Sequence, residues 1–327
     1  MPATPFKDIP MPNRPNSTEE SRTFVPPAAE TPKPCPVSVL ISVYHRIDPR
    51  DLTWALASLH QQSMPAEEVV IVLDGPVGSQ LRGVVEKFEE AYPYTTKVVE
   101  LERNVGTAGA LNAGLEHCSH GLNARLDADD IAKPDRLHAQ VEFMNAHPKV
   151  AVLGSALEEF RSEELATHEV QIGDMNADLG TMKQLSTKIR KLPEQHSKIV
   201  RTAKINSPVN HPSAMLRTDV LREVGGYHHV HFMEDYDLWA RVIQAGYQLH
   251  NDPRALTWFR TSEAMFARRS GKEMWRAEIQ MQRNLVQYGL IGVPRAIVNF
   301  VMRSAFRALP TPLLAKTYKI IFQRPAR

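Results

Sequence analysis

From Val37 onward the chain alternates short β-branched apolar runs with stretches of helical spacing, and this alternation restricts its fold more than any other feature. "VSVLISVY" (37–44), "EVVIVL" (68–73), "KVVELE" (97–102), "LNARL" (122–126) and "VAVLGSALEEF" (150–160) read as strands. Between them, 51–62, 79–91, 107–118 and 134–146 read as helices, the last opening on a proline. Strand, helix, strand implies right-handed crossovers, so the pattern predicts an α/β fold: a Rossmann-like, mixed but mostly parallel sheet flanked by helices on both faces. With 327 residues, 43% of them hydrophobic, the chain can bury such a core.

Open parallel sheets bind ligands beyond the carboxyl ends of their strands. Tyr44 with His45, Asp74, Asn104 and Asp127 to Asp130 each follow a predicted strand, so four separate segments converge on one edge. Taken singly, Asp74-Gly75 and Asn104 are also ordinary turn residues. The densest of the four is "DADD" (127–130). An EF-hand loop would need a ligand, a glycine and a glutamate where the chain has Ile131, Ala132 and His138, so that reading fails. Asp130 can cap the helix opened by Pro134, but a cap leaves Asp127 and Asp129 unexplained. A hard-cation site explains both: carboxylates at i and i+2 of an extended segment can share Mg²⁺ or Mn²⁺, whose other positions take water and substrate phosphates.

"LDADD", preceded by "RNVGTAGALNAGL" and followed by "HPSAMLRTDVLREVGGY" and "MEDYDLWARVIQAGY", resembles the family-2 glycosyltransferases, inverting enzymes of GT-A fold that use nucleotide-sugar donors. The resemblance spans about Val37 to Pro253, and "MFARRSG" with the basic tail resembles the bacterial exopolysaccharide, amylovoran-type members. It implies that Asp127 and Asp129 form the family's DXD motif, with Asp129 on the metal and Asp127 shared between metal and donor ribose. It further implies that Asp74 binds the base, commonly uracil, that Tyr44 lies in the base-pocket loop, and that Asn104 and Asn112 line the donor. Asp235 matches the general base of the ED motif, and His211 is a looser match at the donor site. A polyprenyl-diphosphate-linked glycan is the implied acceptor.

The residues leave alternatives beside these roles. Glu234 and Asp235 in the first turn of a helix are also simple macrodipole partners, while Asp237 and Arg241 read as a surface i, i+4 pair. Arg268 and Arg269 before Ser270-Gly271 are either a diphosphate clamp on a closing loop or a solvated basic turn. His228, His229 and His231 are either a metal cluster or solvated imidazoles after Gly225-Gly226. "GTAGALNAG" lacks the GxGxxG order and a P-loop lysine, so its glycines read as close helix packing. A nucleotidyltransferase would share the sheet and carboxylates, yet "YHRIDPRD" after the first strand lacks glycine. A non-catalytic nucleotide-sugar-binding protein would keep the pocket without needing Asp235.

Ten prolines in residues 1–36, with no apolar run long enough for a signal peptide, predict a disordered leader before a catalytic domain at 37–260. Cys35, in that leader, and Cys118 match no disulfide framework, which fits a reducing cytoplasm. Residues 161–205 are polar, helix-prone and without clear strands, as a lid or acceptor-side insertion would be. Residues 261–327 read as a basic helical tail, in which Arg295, Asn299, Arg303 and Arg307 recur every four residues opposite Ile297, Val298, Val301 and Leu309. Such a helix either lies peripherally on the anionic inner face of the cell membrane or packs on the domain with its arginines in water. No nucleic-acid-binding pattern accompanies the charge.

Overall fold

The computed structural model describes residues 32–262 and 272–307; most of the leader, Arg268 and Arg269, and the chain after Arg307 lie outside the described residues. From 37 to 160 the anticipated strands and helices are present, their ends displaced by a residue or two. β1 (Cys35–Val43), α1 (Pro49–His60), β2 (Ala66–Leu73), α2 (Ser79–Ala91), β3 (Thr95–Glu100), α3 (Gly106–His117) and β4 (Leu122–Arg125) alternate as the sequence requires. The four strands pair parallel in the order β3-β2-β1-β4. Cys35 belongs to this sheet rather than to the leader. It is buried, pairs with Ala66, and its Sγ donates to the Pro65 carbonyl at 3.3 Å. Pro36, which has no N–H for a ladder, falls where the register shifts.

Successive side chains of a strand point to opposite faces, and both faces here are covered. Val39, Ile41 and Val43 pack with Leu52 and Leu56 of α1 and with Val84 and Phe88 of α2. Leu40, Val70 and Val72 face the other way, against Leu111 and Leu115 of α3. Gly114 lets α3 come close: a Cβ there would stand 2.4 Å from a Leu40 methyl and 2.6 Å from a Val72 methyl. Of the glycines in that helix Gly114 serves packing, whereas Gly106, at φ 80° with open space around it, serves the turn into the helix.

Beyond β4 follow β5 (Ile131–Ala132), α4 (Arg136–Ala146), β6 (Val150–Arg161), α5 (Ser162–Leu165), α6 (Met182–Leu185), β7 (Ser186–Arg190), α7 (His196–Ala203), β8 (Met215–Arg217), α8 (Thr218–Glu223), α9 (Glu234–Gln244), β9 (Gln248–Thr261), α10 (Lys272–Gln287) and α11 (Val293–Arg307). The full order is β3-β2-β1-β4-β8-β6-β9-β5, with β7 on β6. β8 runs antiparallel to both β4 and β6, so the first run of parallel strands ends at β4, where the aspartate run begins, and parallel pairing resumes between β6 and β9. The insertion at 161–205 does contain a strand. β7 pairs antiparallel with β6, and its polar "STKIR" carried no apolar alternation to announce it; Arg190 to Glu159 at 2.9 Å helps hold it.

Candidate active site

Arg125, the last residue of β4, is fully buried and charged. It donates to the Leu40 carbonyl at 3.2 Å, to the Leu126 carbonyl and to Asp127 Oδ1. The chain then turns, the Asp130 N–H meeting the Asp127 carbonyl at 3.2 Å, and enters β5. A second arginine holds the far side of this turn. Arg260 of β9 donates its backbone N–H to Asp130 Oδ1 (2.8 Å) and its Nε to the Asp129 carbonyl (2.8 Å), pairs with Asp51 of α1 at 2.9 Å, and lies over the Phe160 ring.

Oxygens of Asp127, Asp129 and Asp130 come within 4.8 Å of one another. Burial raises the pKa of Asp130 well above the carboxylate range, and the charges of Asp129 and Asp127 raise it further. Its Oδ2 is buried with no hydrogen-bond partner. Nearby, burial lifts Asp51 to about 6 against the opposing pull of Arg260. Converging hard oxygens, one of them orphaned, fit Mg²⁺ or Mn²⁺.

The neighbouring strand ends meet by way of Asp74. Its Oδ1 accepts the Val105 N–H at 2.7 Å, and its Oδ2 accepts the Asn104 amide (2.9 Å) and the Gly106 N–H (3.1 Å). The carboxylate thus caps the amino end of α3, where the helix dipole favours negative charge. Gly75, at φ 82°, has no alternative: a Cβ there would lie 2.5 Å from the Asn104 nitrogen. Tyr44 is half-buried, edge-on to His45. Asn112 faces the protein, its amide accepting from the Tyr227 N–H and donating to the Tyr227 carbonyl, each at 2.8 Å. The Tyr227 hydroxyl sits 3.1 Å from His211 Nε2, and His211 also meets Trp239 edge-on. Burial, with help from Arg125, pulls His211 down to about 3, so its imidazole is neutral at physiological pH.

Glu234 and Asp235 occupy the first turn of α9, and Asp235 Oδ2 accepts the Ser207 hydroxyl at 3.1 Å. Burial, then the charges of Asp235 and Asp127, raise Glu234 to about 7. Asp127 and Arg125 also act on His211 and Tyr227, so the aspartate turn and the start of α9 share one electrostatic neighbourhood. Asp237 and Arg241 are no surface pair. Both are buried, 2.8 Å apart, with Asn284 and Tyr288 donating to Asp237 Oδ1 and Arg241 reaching the Gly226 carbonyl. The three histidines do not form a metal cluster among the described residues: His228 turns to Asp237 and His231 towards Glu273.

Residues 38–225 match the family model for glycosyl transferase family 2. The chain belongs to that family. This family-2 glycosyltransferase is 33% identical over 282 residues to the amylovoran biosynthesis glycosyltransferase AmsE of Erwinia amylovora, covering 86% of this chain and 97% of that one. It is 32% identical over 295 residues to the Escherichia coli UDP-Gal:alpha-D-GlcNAc-diphosphoundecaprenol beta-1,3-galactosyltransferase, covering 90% and 98%. Among solved structures, Staphylococcus aureus TarS 1–349 aligns at TM-score 0.57 and 17% identity over 82% of this chain and 71% of that one. The Pyrobaculum calidifontis mannosyltransferase PcManGT, in complex with GDP-Man and Mn²⁺, aligns at TM-score 0.52 and 18% identity over 89% and 82%. These likenesses establish the GT-A fold.

Arg125, Arg260 and Tyr227 of this glycosyltransferase join the site although no motif of the sequence singles them out. An arginine inside the buried run "LNARL" was the available signal, since a strand interior holds a cation only against a fixed anion. Arg260, 130 residues from Asp130, had no local signal.

Proposed function

We propose that this glycosyltransferase transfers a hexose or hexosamine, with inversion, from a UDP-sugar to a polyprenyl-diphosphate-linked glycan at the inner face of the cell membrane. The observation that carries the reading is the gathering of Asp127, Asp129 and Asp130, with oxygens within 4.8 Å of one another just past β4, and the charge of Asp127 that reaches Glu234 beside Asp235 supports it. The printed substrate of the Escherichia coli relative supports the donor and the lipid-linked acceptor, and the amylovoran relative supports exopolysaccharide synthesis.

Asp127 and Asp129, with Asp130 behind them, would hold the divalent ion. When bound, that ion neutralises charge developing on the departing diphosphate. Arg125 and Arg260 fix the carboxylates in place. Asp74 and Asn104 shape the base pocket beside Tyr44, while Asn112 and His211 act through Tyr227 to hold the donor wall. Asp235, oriented by Ser207, takes the acceptor hydroxyl proton as that oxygen attacks the anomeric carbon opposite the leaving group. The bond from that carbon to the diphosphate oxygen breaks as the new one forms, and UDP departs. Arg268 and Arg269, outside the described residues, are assigned to clamp its phosphates.

A turnover screen over nucleotide sugars with Mn²⁺, Mg²⁺ or EDTA, with the product's anomeric configuration read by NMR, tests the reading. Metal-dependent turnover of a UDP-sugar with inverted configuration is expected; retention, or undiminished turnover in EDTA, would contradict it.

A further inference from the structure

α11 packs on the domain, but the opposite way round from the reading that puts its arginines in water. Its polar stripe faces the protein. Asn299 is fully buried and donates to the Lys204 carbonyl at 2.8 Å and to Gln282 Oε1 at 3.2 Å. Arg303 pairs with the buried Glu278 at 2.9 Å and donates to the Ile205 carbonyl (2.8 Å) and Asn206 Oδ1 (3.0 Å). The apolar side therefore faces outward: Val293, Ile297 and Val301 are 58–59% exposed, and Val298 and Met302 about half. Trp275 of α10, 44% exposed and edge-on to Phe300, extends this surface. An apolar patch this continuous marks an interaction surface.

Beside it opens a cleft of about 460 Å³ lined by Arg201, Lys204 and Arg295 together with Ile205, Leu290 and Ile291. Three cations thus line a cleft at the amino end of α11, the helix that carries the outward apolar face. Glu273 and Glu278 are the only acids in 272–307, and Glu278 is buried. The sequence beyond adds Lys316, Lys319, Arg324 and Arg327 with no Asp or Glu. Among the described residues no helix is long and apolar enough to cross a membrane.

We propose that this surface docks the enzyme on an anionic bilayer, the outward face of α11 entering the acyl boundary while Arg201, Lys204 and Arg295 take lipid headgroup phosphates. The inference rests on the lipid-linked acceptor reading above and names the surface that serves it. A bilayer fits better than a second copy of the chain, because cations at the rim complement lipid phosphates and no exposed acidic patch on these helices answers them. Arg303 bonds Asn206, and the next residue, Ser207, donates to Asp235. The docking helix and the assigned base are thus joined by a short segment, so docking would set the base at a fixed height above the membrane.

Vesicle flotation of the full chain tests this, using phosphatidylcholine with and without phosphatidylglycerol, alongside turnover on a water-soluble acceptor and sedimentation without vesicles. The parent is expected to float with anionic vesicles. Ile297→Asp with Val301→Asp, both at exposed positions, should lower binding at least about tenfold. The triple variant Arg201→Ala, Lys204→Ala, Arg295→Ala should lower it about a hundredfold on anionic vesicles, at about fivefold per charge. Both should keep soluble turnover. A parent that stays in solution, undiminished flotation of both variants, or a solution dimer that the Ile297/Val301 pair dissolves without affecting flotation would each overturn the proposal. Flotation that follows the prediction in a chain that turns over no donor would instead count against the proposed reaction alone.

Discussion

Phe232 has φ 57°, the one positive φ outside glycine among the described residues, and it stands two residues before Glu234. A left-handed aromatic costs about 1–3 kcal/mol, and such strain collects where an entry angle matters. Phe232→Gly should raise the melting temperature while lowering turnover; unchanged turnover would make the conformation incidental to the site. Glu234 offers a pH signature. Its folded pKa, about 7, lies above the usual value near 4.5 for a glutamate, so the folded state holds a proton that the unfolded state has lost between those values. Stability contributed by that proton is complete below about 4.5 and is lost as pH rises through 7. Glu234→Gln should therefore show a melting-temperature advantage over the parent that appears between pH 5 and pH 8; a pH-independent difference would place Glu234 in ordinary solvent.

At the scale of elements, one buried ion pair anchors hydrogen bonds from the C-terminal helices to α9 and a second ties those helices to each other. Asp237 receives Arg241 from its own helix and Asn284 and Tyr288 from α10, while Arg303 of α11 meets Glu278 of α10. Breaking such a pair from one side leaves a buried charge uncompensated, at a cost of about 3–5 kcal/mol. Arg303→Met should lose about that much in urea unfolding, and adding Glu278→Gln should restore most of it. Equal losses in the single and double variants would show that Glu278 does not depend on Arg303. The sequence misled here for a physical reason. Helical periodicity reports that two faces differ, not which one faces inward, and α11 buries its polar face because Glu278, Gln282 and the Lys204 and Ile205 carbonyls wait there. Asp237–Arg241 misled in the same way, since i, i+4 spacing is identical on buried and exposed faces.

For the whole molecule, the parallel half of the sheet was legible because buried strands spell out unbroken β-branched runs, as β1 and β2 do. The mixed half was not: β7 is polar and β8 is three residues long, and both are placed by partners distant in sequence. The aspartate turn was legible as an excess of charge without a packing reason, whereas its arginine supports came from β4 and β9. The account joins these halves in one reaction, with cation and diphosphate at the aspartate turn and proton removal at the start of α9. The most direct measurement is UDP-sugar transfer by Asp235→Asn with donor binding followed in parallel by calorimetry. The account predicts an unchanged donor affinity and a fall in turnover of about 10²–10⁴; turnover close to that of the parent would contradict it.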